Sequence, residues 1–234
     1  MRHQQNRFSQ SLLHLPMHIL LCAATVFEIE EAVQDVVQGK YGAHETDVLI
    51  TGVGLTAAAY RLTKQITIRK PQLVIQAGIA GSLNKKAKIA EVVVVKSETI
   101  GDAGVIEKKE FQTLFQLKLV NEKDFPWKSG KLQNEHKTLM QECNLKMVTG
   151  VTVNEISTSK ERIYFYRNKL KADIETLEGA ALHYIALMEH VPFLQIRSIS
   201  NYIGDRDKKN WKVGEAIGNL NIQLKQIISN LNAL

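Results

Sequence analysis

Runs rich in Val, Ile and Leu recur at residues 18–24, 47–51, 72–77, 91–96, 146–152 and 193–199. Short, near-continuous apolar runs of this kind predict strands buried on both faces, as in a largely parallel sheet. Between several of them, residues 28–38, 56–69, 159–170 and 179–189 read as helices, the last stopping before Pro192. Val213, Ile217, Leu220, Leu224, Ile227, Ile228 and Leu231 then fall at steps of three and four, with Lys212, Glu215 and Lys225 off the stripe. That spacing predicts an amphipathic helix packed on the sheet. Strand and helix alternate, so the expected fold is α/β, one mostly parallel sheet sandwiched by helices. Residues 118–137, with Pro126, Trp127 and Gly130, break the periodicity and predict a surface loop.

Composition narrows the class. A length of 234 residues with 44% hydrophobic positions suits a single α/β domain with a sizeable core. The longest apolar run, residues 19–24, is far short of the roughly 18 to 20 residues that span a bilayer, which excludes an integral membrane protein. Residues 1–16 contain Arg2, Arg7 and no acid but lack an apolar stretch and a small-residue cleavage site. They read as a loose tail rather than a signal peptide, with the folded domain at 17–234 and a cytoplasmic location. Cys22 and Cys143 have neither CxxC spacing nor a His cluster, so neither a disulfide framework nor a metal site is expected. Of the net charge of +6, two charges belong to Arg2 and Arg7, and the remaining cations are spread without interleaved aromatics. A solvated surface accounts for them better than a nucleic-acid face.

Residues 50–57, Ile-Thr-Gly-Val-Gly-Leu-Thr-Ala, follow a strand and open a helix, as a GxGxxA dinucleotide turn does. The following strand, however, ends Ile75-Gln76-Ala77-Gly78 and lacks the acid that would hold a ribose, so no nicotinamide or other cofactor is expected. A second cluster, Gly78-Ile79-Ala80-Gly81-Ser82, reads either as a tight turn or as a place where ligand approaches backbone. Glu28 lies just past the first strand, where parallel sheets place ligands, although an acid in a first helical turn is also ordinary dipole capping. Glu178, in Leu177-Glu178-Gly179-Ala180, joins two apolar segments where a carboxylate needs a partner, either a polar ligand or a helix cap. Asn201 ends Arg197-Ser198-Ile199-Ser200-Asn201 and reaches the rim of Glu28 if the strands are parallel.

Taken together from residue 17 to 231, these segments resemble the purine nucleoside phosphorylase and methylthioadenosine nucleosidase superfamily. The resemblance rests on Leu177-Glu178-Gly179-Ala180, a glycine turn at Gly78-Ile79-Ala80-Gly81, and the strand end at Asn201. It implies a single domain with a central mixed sheet flanked by helices. It also implies Glu28 as general base, Glu178 on the ribose hydroxyls and Asn201 on the base. Gly78, Ile79, Ala80, Val153, Asn154 and Leu177 would frame ribose and base, and the assembly would be a homo-oligomer, a dimer by first expectation.

Within the superfamily, residues 23–29 and 200–207 with Trp211 are most similar to the futalosine hydrolase branch, which removes hypoxanthine from futalosine in menaquinone synthesis. Two departures from sister branches carry chemical meaning. Gln76 stands where phosphorylases commonly place an Arg for phosphate, and Asn201 stands where methylthioadenosine nucleosidases usually place a proton-donating Asp. An amide can donate to one atom of a 6-oxopurine and accept from another, which favours hypoxanthine over adenine. Arg206 and Trp211 would meet the carboxyphenyl group of futalosine, or else form a surface ion-pair loop. The alternatives are a methylthioadenosine or S-adenosylhomocysteine nucleosidase, a purine nucleoside phosphorylase, and a non-catalytic binder of nucleosides or of nucleic acid.

Overall fold

Strand β1 (His18–Ala23) shows how the apolar runs are used. Ile19, Leu21 and Ala23 join one core cluster, while Leu20 and Cys22 join another. Alternate residues point to opposite faces of a strand, so a sheet covered on both sides needs apolar residues at every position. The computed structural model describes residues 16–40, 44–108 and 110–231. The tail expected over residues 1–16 therefore lies, Pro16 apart, outside the described residues.

After β1 come helix α1 (Glu30–Val37), β2 (Glu45–Ile50), α2 (Leu55–Arg69), β3 (Leu73–Ser82) and β4 (Val92–Glu98). Strands β5 (Gly104–Glu107) and β6 (Glu110–Thr113) form a separate hairpin, followed by β7 (Trp127–Lys128), β8 (Lys131–Gln133) and α3 (Lys137–Glu142). The chain closes with β9 (Lys146–Thr152), α4 (Lys160–Tyr164), β10 (Ile174–Thr176), α5 (Gly179–Met188), β11 (Phe193–Tyr202) and α6 (Val213–Asn230).

Nine strands form one mixed sheet. Pairs β1–β2, β1–β3, β3–β11, β4–β9 and β9–β10 are parallel, whereas β3–β10, β4–β11, β4–β8 and β7–β8 are antiparallel. Because β11 pairs with both β3 and β4, strands β3, β11, β4, β9 and β10 close into a ring. Helices α1, α3 and α6 cover one face with Ala32, Leu139, Leu220, Leu224 and Ile228, and α2 and α5 cover the other with Ala58, Leu62, Leu182 and Ile185. Truncating one such buried Leu typically costs about 2–5 kcal/mol. Cys22 and Cys143 are both buried free thiols. Among the described residues no helix is long and apolar enough to cross a membrane.

Four expectations are corrected. Residues 78–82 are not a turn: β3 runs through them, pairing Gly78 with Arg197 and Ala80 with Ile199. The helix expected from residue 28 starts at Glu30, because Glu28 closes a separate 3-10 turn (Val26–Glu28) by bonding back to Thr25. Residues 118–137 are not wholly loop. They hold the β7–β8 hairpin, whose two-residue connection has positive φ at Ser129 (52°) and Gly130 (70°), the conformation that matches strand twist. The helix expected at 159–170 is α4 followed by a π turn (Phe165–Lys169).

Candidate active site

The exits from β1 and β10, the second half of β3 and the end of β11 enclose a cavity of about 510 Å³. Glu28, Ile79, Ala80, Leu177, Glu178, Asn201, Arg206 and Trp211 all line it. A neighbouring hollow of about 760 Å³ shares Ile203 but is lined by exposed Lys85, Lys160 and Arg167, with no buried carboxyl. The smaller cavity has the groups that could carry chemistry.

Glu28 is 8% exposed, and its carboxylate is held from two sides. Oε2 accepts from the Thr25 N–H (3.0 Å) and hydroxyl (3.2 Å), and Oε1 accepts from the Ile79 N–H (3.1 Å). Its backbone is anchored by Asn221 of α6, which is fully buried. The Asn221 side-chain amide donates to the Glu28 carbonyl (3.0 Å), and its oxygen accepts from the Ala32 N–H (3.0 Å).

Glu178 occupies the N-cap position of α5, yet its side chain makes no cap bond to that helix. Its Oε1 instead accepts from the Gly54 N–H at 2.8 Å. Gly54 has φ of 96° and Gly52 of 75°, a backbone that L side chains rarely adopt. In the GxGxxA segment, then, the second glycine turns an amide toward a carboxylate of the same chain.

Arg197 is 1% exposed and points to the same place. One amino group donates to Gln76 Oε1 (2.7 Å) and lies 4.0 Å from Glu178 Oε2. A Cβ built on Gly78 would overlap the Arg197 guanidinium and press on Glu28 Oε1. Gly78 therefore leaves room for the cation and the carboxylate to approach each other, and Gly81 likewise leaves room for Ile203. Burial pushes the Glu178 carboxyl above its ordinary pKa; Arg197 and the Gly54 N–H pull it back, and the charge of Glu28 adds to the rise.

On the outer wall, the Arg206 guanidinium lies 5.2 Å from the centre of the Trp211 ring, whose N–H donates to the Asp205 carbonyl (3.0 Å). Glu175, 5% exposed, also lines the wall and accepts from the Ser157 N–H at 3.1 Å. Asn201 accepts from the Ser200 hydroxyl (2.8 Å) and donates to the Tyr202 carbonyl (3.3 Å).

Gly78 lies beneath the cavity rather than on its wall, and two of the expected residues are elsewhere. Val153 is fully buried in an apolar cluster with Leu83 and Tyr166, and Asn154 is exposed and bound to Asp102. Conversely, sequence reasoning gives no site role to Arg197, Thr25 or Asn221, and takes Gly54 only as part of a possible dinucleotide turn. Arg197 had a usable signal, since a cation inside an apolar strand run must find buried partners.

The sheet is thus closed partly into a barrel, with three buried carboxyls, Glu28, Glu175 and Glu178, lining one cavity and the Arg197 guanidinium 4.0 Å from Glu178. The chain belongs to the phosphorylase superfamily, whose family model matches residues 14–233. It is 27% identical over 184 residues to the futalosine hydrolase of Thermus thermophilus, covering 77% of this chain and 80% of that protein. It is 25% identical over 169 residues to the 5'-methylthioadenosine/S-adenosylhomocysteine nucleosidase of Buchnera aphidicola from Schizaphis graminum, covering 70% and 69%. In fold it is similar to the native structure of Helicobacter pylori futalosine hydrolase, with a TM-score of 0.73 at 18% identity over 92% of this chain and 98% of that one.

Proposed function

We propose that this protein hydrolyses the N-glycosidic bond of a purine nucleoside, and that the nucleoside is futalosine, releasing hypoxanthine in the course of menaquinone synthesis. The observation that carries the reading is the meeting of Glu28 and Glu178 at one cavity floor beside Arg197.

Cleavage of this bond passes through an oxocarbenium-like ribosyl state, with positive charge on the sugar and negative charge on the departing base. Glu28, held rigidly by Thr25 and Ile79, orients a water and takes its proton. Glu178 has Oε1 occupied by Gly54, leaving Oε2 for ribose hydroxyls and for the developing cation. Asn201 receives the departing base.

The charges about the cavity support water as the nucleophile. Glu28, Glu175 and Glu178 line it together with Arg206, and Arg197 lies 4.0 Å from Glu178; this excess of carboxyls favours a ribosyl cation and disfavours a phosphate dianion. Gln76 adds no charge; its oxygen is engaged by Arg197. Hydrolysis of methylthioadenosine is the second reading, supported by the nucleosidase relatives, and the amide of Asn201 disfavours it.

Incubation with futalosine, methylthioadenosine and inosine, each with and without phosphate, separates these activities by the base and sugar released. Hypoxanthine from futalosine without phosphate is expected; strict phosphate dependence would refute hydrolysis. If Arg206 and Trp211 hold the carboxyphenyl group, Arg206→Ala lowers kcat/KM for futalosine about tenfold or more while inosine use changes little, since a charge-assisted bond is worth roughly 1.5–3 kcal/mol. Equal losses on both substrates would remove Arg206 from recognition.

A further inference from the structure

Glu98 ends β4 inside the barrel and is 0% exposed, and it does not line the cavity. Its carboxyl accepts from Gln195 Nε2 (2.8 Å) and Thr176 Oγ1 (3.2 Å) on one oxygen and from Thr152 Oγ1 (3.1 Å) on the other. The same two hydroxyls face the start of α5: Thr176 Oγ1 accepts from the Gly179 N–H (3.3 Å) and Thr152 Oγ1 from the Ala180 N–H (2.8 Å).

We propose that Glu98 is a positioning residue for the reaction, holding Glu178 toward the cavity through the hydroxyls of Thr152 and Thr176. The inference rests on the nucleosidase reading above. A hydroxyl has one proton, and drawing both protons to Glu98 leaves the oxygen lone pairs aimed at the helix. The first free N–H groups of α5 are thereby satisfied by threonines from β9 and β10. Glu178, at the N-cap, is released from capping its own helix and turns to Gly54 and Arg197. The cradle is shaped for this carboxyl: a Cβ on either Gly150 or Gly179 would overlap it. Glu98 thus reaches the ribose-binding carboxylate through two hydroxyls and one helix start, without touching substrate.

Four comparisons test the relay on the nucleoside that the native protein turns over fastest, with kcat, KM and Tm read for each. Glu98→Ala and the double change Thr152→Val with Thr176→Val each lower kcat by about tenfold or more at temperatures below their Tm, the size of effect expected when a catalytic group loses its alignment. Glu98→Gln stays within about threefold of the native rate. Its amide accepts from one hydroxyl and donates to the other, and the second passes its proton to the first across their 3.0 Å contact. In a Glu178→Ala background, Glu98→Ala adds less than about a twofold further loss, because no carboxylate remains to be positioned.

A native rate in the double valine variant overturns the proposal, as does an undiminished Glu98→Ala loss in the Glu178→Ala background. If the native protein releases no base from any nucleoside, the functional reading fails instead. Crystal structures of the native and Glu98→Ala proteins then decide the positioning: Glu178 leaving the Gly54 N–H supports it, and Glu178 unmoved refutes it.

Discussion

Replacing Glu98 with Gln should make the protein more stable, and only above a definable pH. Burial pushes the Glu98 pKa from 4.5 to about 7, against the opposing pull of Gln195, Arg197, Thr152 and Thr176. At about 1.4 kcal/mol per pKa unit, a carboxyl that titrates near 4.5 when unfolded and near 7 when folded costs the ionised folded state on the order of 3 kcal/mol. The sign follows from proton counting. Below pH 4.5 the group is protonated in both states and the cost is absent; between 4.5 and 7 the folded state binds more protons and loses relative stability as pH rises; above 7 the loss is complete. Gln has the shape of the neutral acid and no charge to bury. His183 is the other buried titratable group nearby, and burial lowers its pKa to about 3, so it does not titrate in this window. Glu175 and Glu178 titrate alike in both proteins and cancel in the difference. Urea unfolding at about pH 4.5 and pH 8 should give coincident midpoints at the lower pH, with the Gln variant ahead by roughly 3 kcal/mol at the higher. Parallel stability curves, or a Gln variant weaker at pH 8, would refute the assignment of a costly buried charge.

Glu28→Gln should reduce kcat by about 10²–10⁴ and lower stability by about 1–3 kcal/mol, since the amide nitrogen cannot take a proton and must face the N–H of either Thr25 or Ile79, both of which the carboxylate accepts from; initial rates and thermal melts check both halves. Gly78→Ala should destabilise by about 1–3 kcal/mol and lose activity, because the methyl overlaps the Arg197 guanidinium beside Glu28. Gly218→Ala, in the middle of α6 with nothing within 4 Å of its Cβ position, should be stabilising by up to about 1 kcal/mol in the same melts. Asn201→Asp should raise the ratio of kcat/KM for methylthioadenosine over futalosine by about tenfold or more, read by separate assays of adenine and hypoxanthine release, as expected when a protonatable carboxyl replaces an amide at the leaving base.

Much of the scaffold was legible from the chain alone. Apolar runs and their alternation with helical stripes place the strands at 18–24, 47–51, 146–152 and 193–199 within one or two residues of β1, β2, β9 and the start of β11. Those signals are local, because burial on two faces demands apolar residues at successive positions. Glu28, Glu178 and Asn201 could be singled out from their place at strand ends and helix starts. Short elements escaped: the β5–β6 hairpin and three-residue β10 have too few positions for a period to show. The glycines at 78–81 read either as a turn or as a place where ligand approaches backbone; β3 runs through them, they clear space for Arg197 and Ile203, and Ile79 to Gly81 line the cavity.

The amino-acid order by itself determined the layered α/β plan, the apolar faces of its helices and the carboxyls available for chemistry. Tertiary structure decided which groups meet. Glu28 and Ile79 are 51 residues apart, Gly54 and Glu178 are 124, Gln76 and Arg197 are 121, and Glu28 and Asn221 are 193. Periodicity reports only what a residue's immediate neighbours bury. The charge balance at the cavity, the Gly54 N–H that donates to Glu178 and holds it off its own helix, and the room beside Glu28 arise from contacts made across the closed sheet.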